Sequence, residues 1–329
     1  MEVIKGLSRL RRKWENSVVA LGTFDGVHLG HRQVIRTTRA IARRSGRRSL
    51  VVTFEPLPRA VIGGERERVG LITNLDEKIK VIKNMGIDAM LVIHFNRKLA
   101  QVKPKEFVKE VVYKKIGAGR VVVGPGFRFG KNRLGNVALL KRLGKKYGFE
   151  VTTVNEVKIG NIKVSSSRIR QYLWQGKIEK ANRLLGRDYT ISGIVKKGSG
   201  RGKELSFPTA NLDVPGNLIL PRGVYAVLVS VKGKRHKAVA NIGTRPTFVP
   251  RYRFPRQDMA RRYAYPVVEV YIFNFRGSLY RRKLEVSLIR RIRKERKFPS
   301  PQKLMKRIEK DIRFIKRLRP ISGHLTKSN

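Results

Sequence analysis

The chain has 329 residues, 41% of them hydrophobic, with 75 Lys+Arg against 23 Asp+Glu, a formal charge of +52 and no cysteine. That length suits two domains of about 100–200 residues each, and 14 Phe with 10 Tyr are too many for a disordered chain. Disulfide scaffolds, thiolate zinc sites and cysteine nucleophiles are excluded. No run reaches the roughly 18 continuous apolar residues of a membrane span, and no apolar run follows the basic residues 1–13 as in a signal peptide, so a cytoplasmic protein off the membrane is expected.

In chain order, residues 18–21 form a short apolar strand that meets the glycine-flanked loop Gly-Thr-Phe-Asp-Gly. Helical spacing follows over 31–44, a buried strand over 49–54 ended by Pro56 and Pro58, a helix over 76–85, and a strand over 89–94. Pro104 opens a helix over 104–114; 120–123 is a strand running into the glycine-rich turn 124–130. Residues 137–147 are helical, 150–154 a strand, and 167–174 with 178–185 a helical pair. Strands alternating with helices predict an α/β unit with a parallel sheet. From Tyr189 the texture changes to short β-rich runs over 190–195, 223–231, 237–242, 267–275 and 283–292, separated by Gly, Pro and Asn. These predict a small antiparallel barrel closed by a helix from about 300 to 317. The expected boundary lies at 186–189, giving domains 1–186 and 187–319 and a tail 320–329.

The charge is not concentrated. Residues 1–186 carry 40 Lys+Arg against 14 Asp+Glu, and residues 187–329 carry 35 against 9, the same excess of 26 in each half. Even the dense run 281–319 places apolar residues at helical spacing among its cations, as a solvated helix face does. Nucleic acid is therefore expected only as a non-specific partner through charge.

Three segments carry chemistry. In Gly22-Thr23-Phe24-Asp25-Gly26-Val27-His28-Leu29-Gly30-His31, two histidines flank a glycine at a helix start. Gly30 permits close backbone approach, the helix N-terminus favours a phosphate, and the imidazoles can donate to phosphoryl oxygens. A satisfied core histidine is the competing reading of His28. Ser165-Ser166-Ser167-Arg168-Ile169-Arg170 offers hydroxyls and a cation at another helix start, either a plain cap with a solvated Arg170 or a triphosphate clamp. In the second half, Gly198, Gly200 and Gly202 around Arg201 suit a phosphate-wrapping loop that leads to Pro208-Thr209-Ala210-Asn211. Thr209 and Asn211, two apart on one face of an extended segment, offer oxygens to a hard cation such as Mg²⁺; an ordinary strand start is the alternative.

The order GTFDGVHLGH, TFEPLP, GFRFGKNRLG, SSSRIR, then PTAN and NIGTRPT, resembles the bacterial bifunctional riboflavin kinase/FMN adenylyltransferase (FAD synthetase) family over about residues 1–315. The resemblance implies a Rossmann-like nucleotidyltransferase domain followed by a Greek-key β-barrel, with Mg²⁺ and ATP as co-substrate and riboflavin, FMN and FAD as flavin partners. It implies ATP contacts from Gly22, Phe24, Asp25, Gly26, His28, Gly30, His31, Ser165–Ser167 and Arg170 in the first domain. In the second it implies ATP contacts from Gly198, Gly200, Arg201, Gly202, Pro208, Thr209 and Asn211. Flavin contacts are implied for Phe54, Pro56, Pro58, Phe127 and Phe129, and for Asn241, Gly243, Thr244 and Arg245. Glu269 is implied as the base for the riboflavin 5′-hydroxyl, and His28 and His31 as stabilisers of the transition state. The chain departs from the family pattern at Leu57 (usually His), Gly126 (Asn or Asp), Tyr271 (His) and Asn274 (Asp). The alternatives are an enzyme with only its kinase half competent, and a basic nucleic-acid-associated protein that keeps the fold.

Overall fold

The computed structural model describes residues 1–63, 70–197, 207–215, 218–244, 266–296 and 298–317. It divides into two compact units, Met1–Ser166 and Ser167–Asn329. The first is an α/β unit. Its strands are β1 (Glu2–Lys5), β2 (Val18–Leu21), β3 (Ser49–Glu55), β4 (Ala89–His94), β5 (Arg120–Val123) and β6 (Glu150–Thr153). All neighbours are parallel, in the order β1-β4-β3-β2-β5-β6, and a separate antiparallel pair follows, β7 (Lys158–Ile159) with β8 (Ile162–Lys163). Its helices are α1 (Leu29–Arg44), α2 (Pro58–Ile62), α3 (Leu75–Lys83), α4 (Arg97–Ala100), α5 (Pro104–Glu106) and α6 (Val137–Tyr147).

The central strands are buried on both faces, as parallel strands covered by helices must be. One core packs Val19, Leu21, Leu50, Val52 and Phe54 against Phe107, Val108 and Leu140. The other packs Val18, Ala20 and Val51 against Val34 and Ile35 of α1 and Val81 and Ile82 of α3. Local chemistry sets the helix ends. Asn74 accepts from the Glu77 N–H (2.8 Å) to start α3, and Asn136 accepts from the Leu139 N–H (2.9 Å) to start α6. Pro104 opens a helix as expected, but only Pro104–Glu106 is α-helical; Phe107–Lys115 continues as a wider π-helix. Strand β1, with Ile4 its one buried residue, has no signature in the sequence, because four residues carry too little pattern.

Strand order reverses beside β2. Ligands in open parallel sheets bind outside the carboxyl ends of strands at such a switch point. The carboxyl ends of β2 and β5 are where the Gly22 loop and the Gly124 turn begin.

The second unit opens with α7 (Ser166–Trp174), whose first residue still belongs to the first unit, and α8 (Ile178–Leu185). By their contacts these helices count with the second unit, whereas the texture of the sequence put the change at 186–189. Ile178, Ala181, Leu184 and Leu185 of α8 are buried, and Arg290 pairs with Glu179 at 3.0 Å. Six strands follow: β9 (Tyr189–Lys196), β10 (Ala210–Asp213), β11 (Gly223–Val231), β12 (Lys234–Thr244), β13 (Pro266–Ile272) and β14 (Lys283–Arg293). They close into an antiparallel barrel in the order β10-β13-β12-β11-β14-β9. Alternation fills its interior with Tyr189, Ile191, Tyr225, Val227, Ala240, Ile242, Val268, Val270 and Val286, all buried. Helix α9 (Pro301–Arg317) packs Ile308, Ile312 and Ile315 over the outward Ala226, Val239 and Tyr271.

Candidate active sites

In the first unit, the turn after β2 holds its two histidines by local bonding. Phe24 and Val27 take positive φ (48° and 37°), and Gly26 lies at φ 88° with Ile72 3.1 Å from where its Cβ would stand. The buried Asp25 carboxylate accepts from the backbone N–H of Ile72 (3.1 Å) and Thr73 (3.2 Å), while the Gly26 N–H donates to Thr73 Oγ1 (3.0 Å). Asp25 is thus a brace for the loop as well as a residue of it.

The Ser166 hydroxyl donates to the Asp25 carbonyl (3.0 Å), so this serine meets the histidine loop. Ser165 is half-buried and Ser167 exposed. Arg170 is buried on α7 at 4% exposure, so the reading of it as a solvated cation does not hold.

His28 is the N-cap of α1. Its Nδ1 accepts from the His31 N–H at 3.3 Å, and the two imidazoles stack with centroids 3.6 Å apart at 16°. Phe24 meets His31 edge-on at 5.3 Å. With Nδ1 accepting, a neutral His28 ring carries its proton on Nε2, where it can donate to an anion. A Cβ at Gly30 would stand 3.2–3.3 Å from the His28 ring, which would have to give by a few tenths of an ångström.

Lys78 is a site residue that the sequence analysis did not single out. It is 1% exposed, and its Nζ donates to the Thr23 carbonyl (3.1 Å) and to Thr53 Oγ1 (3.5 Å). Burial pushes its ammonium below the ordinary lysine value, opposed by the charges of Asp25 and Glu55. The signal was available: Lys78 occupies a core position on the stripe that continues through Val81 and Ile82.

The flavin-side expectations of this unit meet a packed core. Phe54 and Phe129 are 9% and 7% exposed, with Phe54 edge-on to Phe95 and Phe129 stacked on the half-buried Phe127 at 5.5 Å. Pro56 and Pro58 are half-buried, and Leu57 is buried at the start of α2. A Cβ on Gly126 would meet nothing within 4 Å.

In the second unit, strand register assembles the polar cluster. Glu269 of β13 lies directly opposite Asn211 of β10 on one side and Asn241 of β12 on the other. The alternating interior residues put all three on the outer wall, in one row across three strands. Thr209, half-buried, lies two residues before Asn211, and Pro208 beside it is exposed. A hydroxyl and an amide oxygen next to a carboxylate form an all-oxygen donor set, the chemistry a hard divalent cation takes. Among the described residues no three His, Asp or Glu converge as a metal cage.

Gly243 places its backbone where a Cβ would overlap the Glu295 carboxylate. Burial raises that carboxyl above the ordinary value although Glu295 is otherwise exposed. Arg222 and the Asn241 hydrogen bond oppose the rise, and the Glu269 charge adds to it. Glu295, unremarked in the sequence, therefore joins the row as a second acid. Thr244 ends β12 opposite Pro266. Gly198, Gly200, Arg201, Gly202 and Arg245 lie outside the described residues.

Two family models match in this order: FAD synthetase over residues 10–168 and riboflavin kinase over residues 185–319. A bifunctional riboflavin kinase/FMN adenylyltransferase of Buchnera aphidicola is 36% identical over 319 residues, 96% of this chain and 98% of that protein. The chain belongs to the bifunctional riboflavin kinase/FMN adenylyltransferase family. The protein of that name from Bacillus subtilis is 38% identical over 316 residues (94% of this chain, 96% of that one), and the one from Escherichia coli is 33% identical over 313 residues (94% and 96%). The crystal structure of a macrolide-efflux protein from Streptococcus pneumoniae superposes with a TM-score of 0.83 at 27% identity, covering 97% of this chain and all of that one. Among the described residues no helix is long and apolar enough to cross a membrane. Both family models describe transferases; His28, His31 and Ser166 fall in the first matched segment, and Asn211, Asn241 and Glu269 in the second.

Proposed function

We propose that the chain phosphorylates riboflavin to FMN with one ATP and adenylylates FMN to FAD with another, at the two clusters described above. We assign residues 187–319 to the first reaction and 1–186 to the second, and the cytoplasm as their compartment. The observation that carries the reading is the row Asn211–Glu269–Asn241, in which strand register sets an acid between two amide residues on one barrel wall.

In the kinase reaction Glu269 accepts the proton of the riboflavin 5′-hydroxyl as that oxygen bonds to the γ-phosphorus and ADP departs. The Thr209 hydroxyl and Asn211 amide oxygen would hold Mg²⁺, which when bound offsets charge on the phosphates; a cation shared between one or two protein oxygens and phosphates needs no all-protein cage. Asn241 orients the carboxylates beside it. In the adenylyl transfer an FMN phosphate oxygen bonds to the α-phosphorus of ATP and the bond to the pyrophosphate leaving group breaks. His28 Nε2–H and His31 donate to phosphoryl oxygens as charge moves onto the leaving group, at the N-terminus of α1. Neither reaction needs a covalent enzyme intermediate, in keeping with a chain that has no cysteine.

The test is incubation of the purified protein with riboflavin, ATP and Mg²⁺, with flavins separated by chromatography. FMN and then FAD are expected; the absence of both over a range of salt would refute the reading. Glu269→Ala should lower FMN formation about 10²–10⁴-fold, the usual worth of a positioned base. It should still convert supplied FMN to FAD, and loss of both activities in a folded variant would contradict the division of labour.

A further inference from the structure

The loop that carries His28 rests on a buried cation. Lys78 stands in the helical stripe with Val81 and Ile82, where a methionine or leucine would complete the core and avoid the several kcal/mol that burying an ion costs. Its Nζ reaches the carbonyl of Thr23, next to Phe24 and its positive φ, and the hydroxyl of Thr53, which itself donates to the same carbonyl at 3.0 Å. Thr53 and Glu55 share one face of β3, the face toward α3, because Leu50, Val52 and Phe54 occupy the other. Asp25 and Glu55 act electrostatically on Lys78. Two carboxylates and one ammonium therefore sit at the root of a loop whose ligand, on the reading above, is a triphosphate. Removing the ammonium takes away a cation on which both carboxylates act.

We propose that Lys78 is a positioning residue for adenylyl transfer: its ammonium pins the Thr23 carbonyl and offsets Asp25 and Glu55, so that the loop accepts the ATP phosphates rather than repelling them. This rests on the adenylyltransferase reading of the first unit. Loss of a merely structural lysine would lower the fraction of folded protein and leave the KM for ATP of the folded enzyme unchanged, whereas the present role falls on that KM.

The test is steady-state FAD formation by the full-length protein from FMN, Mg²⁺ and varied ATP. Lys78→Met should raise the KM for ATP about tenfold, equivalent to about 1.4 kcal/mol. Adding Glu55→Gln to that variant should recover most of the loss, and Glu55→Gln alone should lower the KM about twofold by removing one negative charge from the root of the loop. An unchanged KM in Lys78→Met, or a double variant no better than the single one, overturns the proposal. If Lys78→Met fails to fold, Glu55→Gln alone decides, and an unchanged or higher KM counts against the idea. Wild-type protein that makes no FAD would instead remove the adenylyltransferase reading, a separate and recognisable failure.

Discussion

At Glu295 the environment favours the protonated carboxyl. The sign of the pH dependence follows. As pH rises through the ordinary carboxylate value the unfolded chain gives up this proton first, so stability falls across the window up to the raised folded value and stays lower above it. Glu295→Gln should therefore raise the melting temperature at pH 7, with the gain vanishing below the ordinary carboxylate value; thermal melts across that range measure it. Gly30 offers a second residue-level test. An added methyl must push the His28 ring by a few tenths of an ångström without breaking α1, whose helix propensity alanine favours. Gly30→Ala should slow FAD formation by about tenfold or more, since small misplacements of catalytic groups are costly, while FMN formation holds. His28, His31, Thr209, Asn211 and Glu269 stand out in the sequence because they sit among glycines or apolar strand positions, and the roles proposed for them come from the family resemblance. Lys78 left a signal too, a lysine on the apolar stripe of its helix, whereas Glu295 left none, because it matters through neighbours far away in the chain.

Among the elements, α9 is fastened by charge as well as by its apolar stripe. Asp311 is 2% exposed and pairs with Arg293 Nε at 2.8 Å and with Arg307 Nε at 3.1 Å. Removing one member of a buried pair leaves the other uncompensated, so Asp311→Asn should destabilise the protein by about 3–5 kcal/mol in urea unfolding. The barrel has a limit at high pH. Tyr225 is buried on β11, its hydroxyl donates to the Arg222 carbonyl (3.2 Å), and burial pushes its pKa up to about 12. The unfolded chain ionises this phenol near 10, so stability falls between about 10 and 12, by roughly 3 kcal/mol at most. Tyr225→Phe should flatten that decline. Most elements were legible from period and punctuation, because a parallel sheet buries continuous apolar runs and a barrel alternates. The π-helical course of Phe107–Lys115 was not, since Phe107, Val108, Val111 and Val112 bury the same stripe that an α-helix would.

For the whole molecule, the charge of +52 is spread evenly along the chain, and the clusters that carry the chemistry are not its densest stretch. Titration with duplex DNA and RNA should accordingly show weak, sequence-independent binding with a steep salt slope. Selective binding at physiological salt would give the charge a dedicated role. The row on the barrel wall has one more consequence. Asn211, Glu269 and Asn241 are brought together by strand pairing alone, and pairing has a period of two. A single codon gained or lost inside Pro266–Ile272 would turn the acid toward the lumen and valines toward water, so inheritance can tinker with length only between the strands.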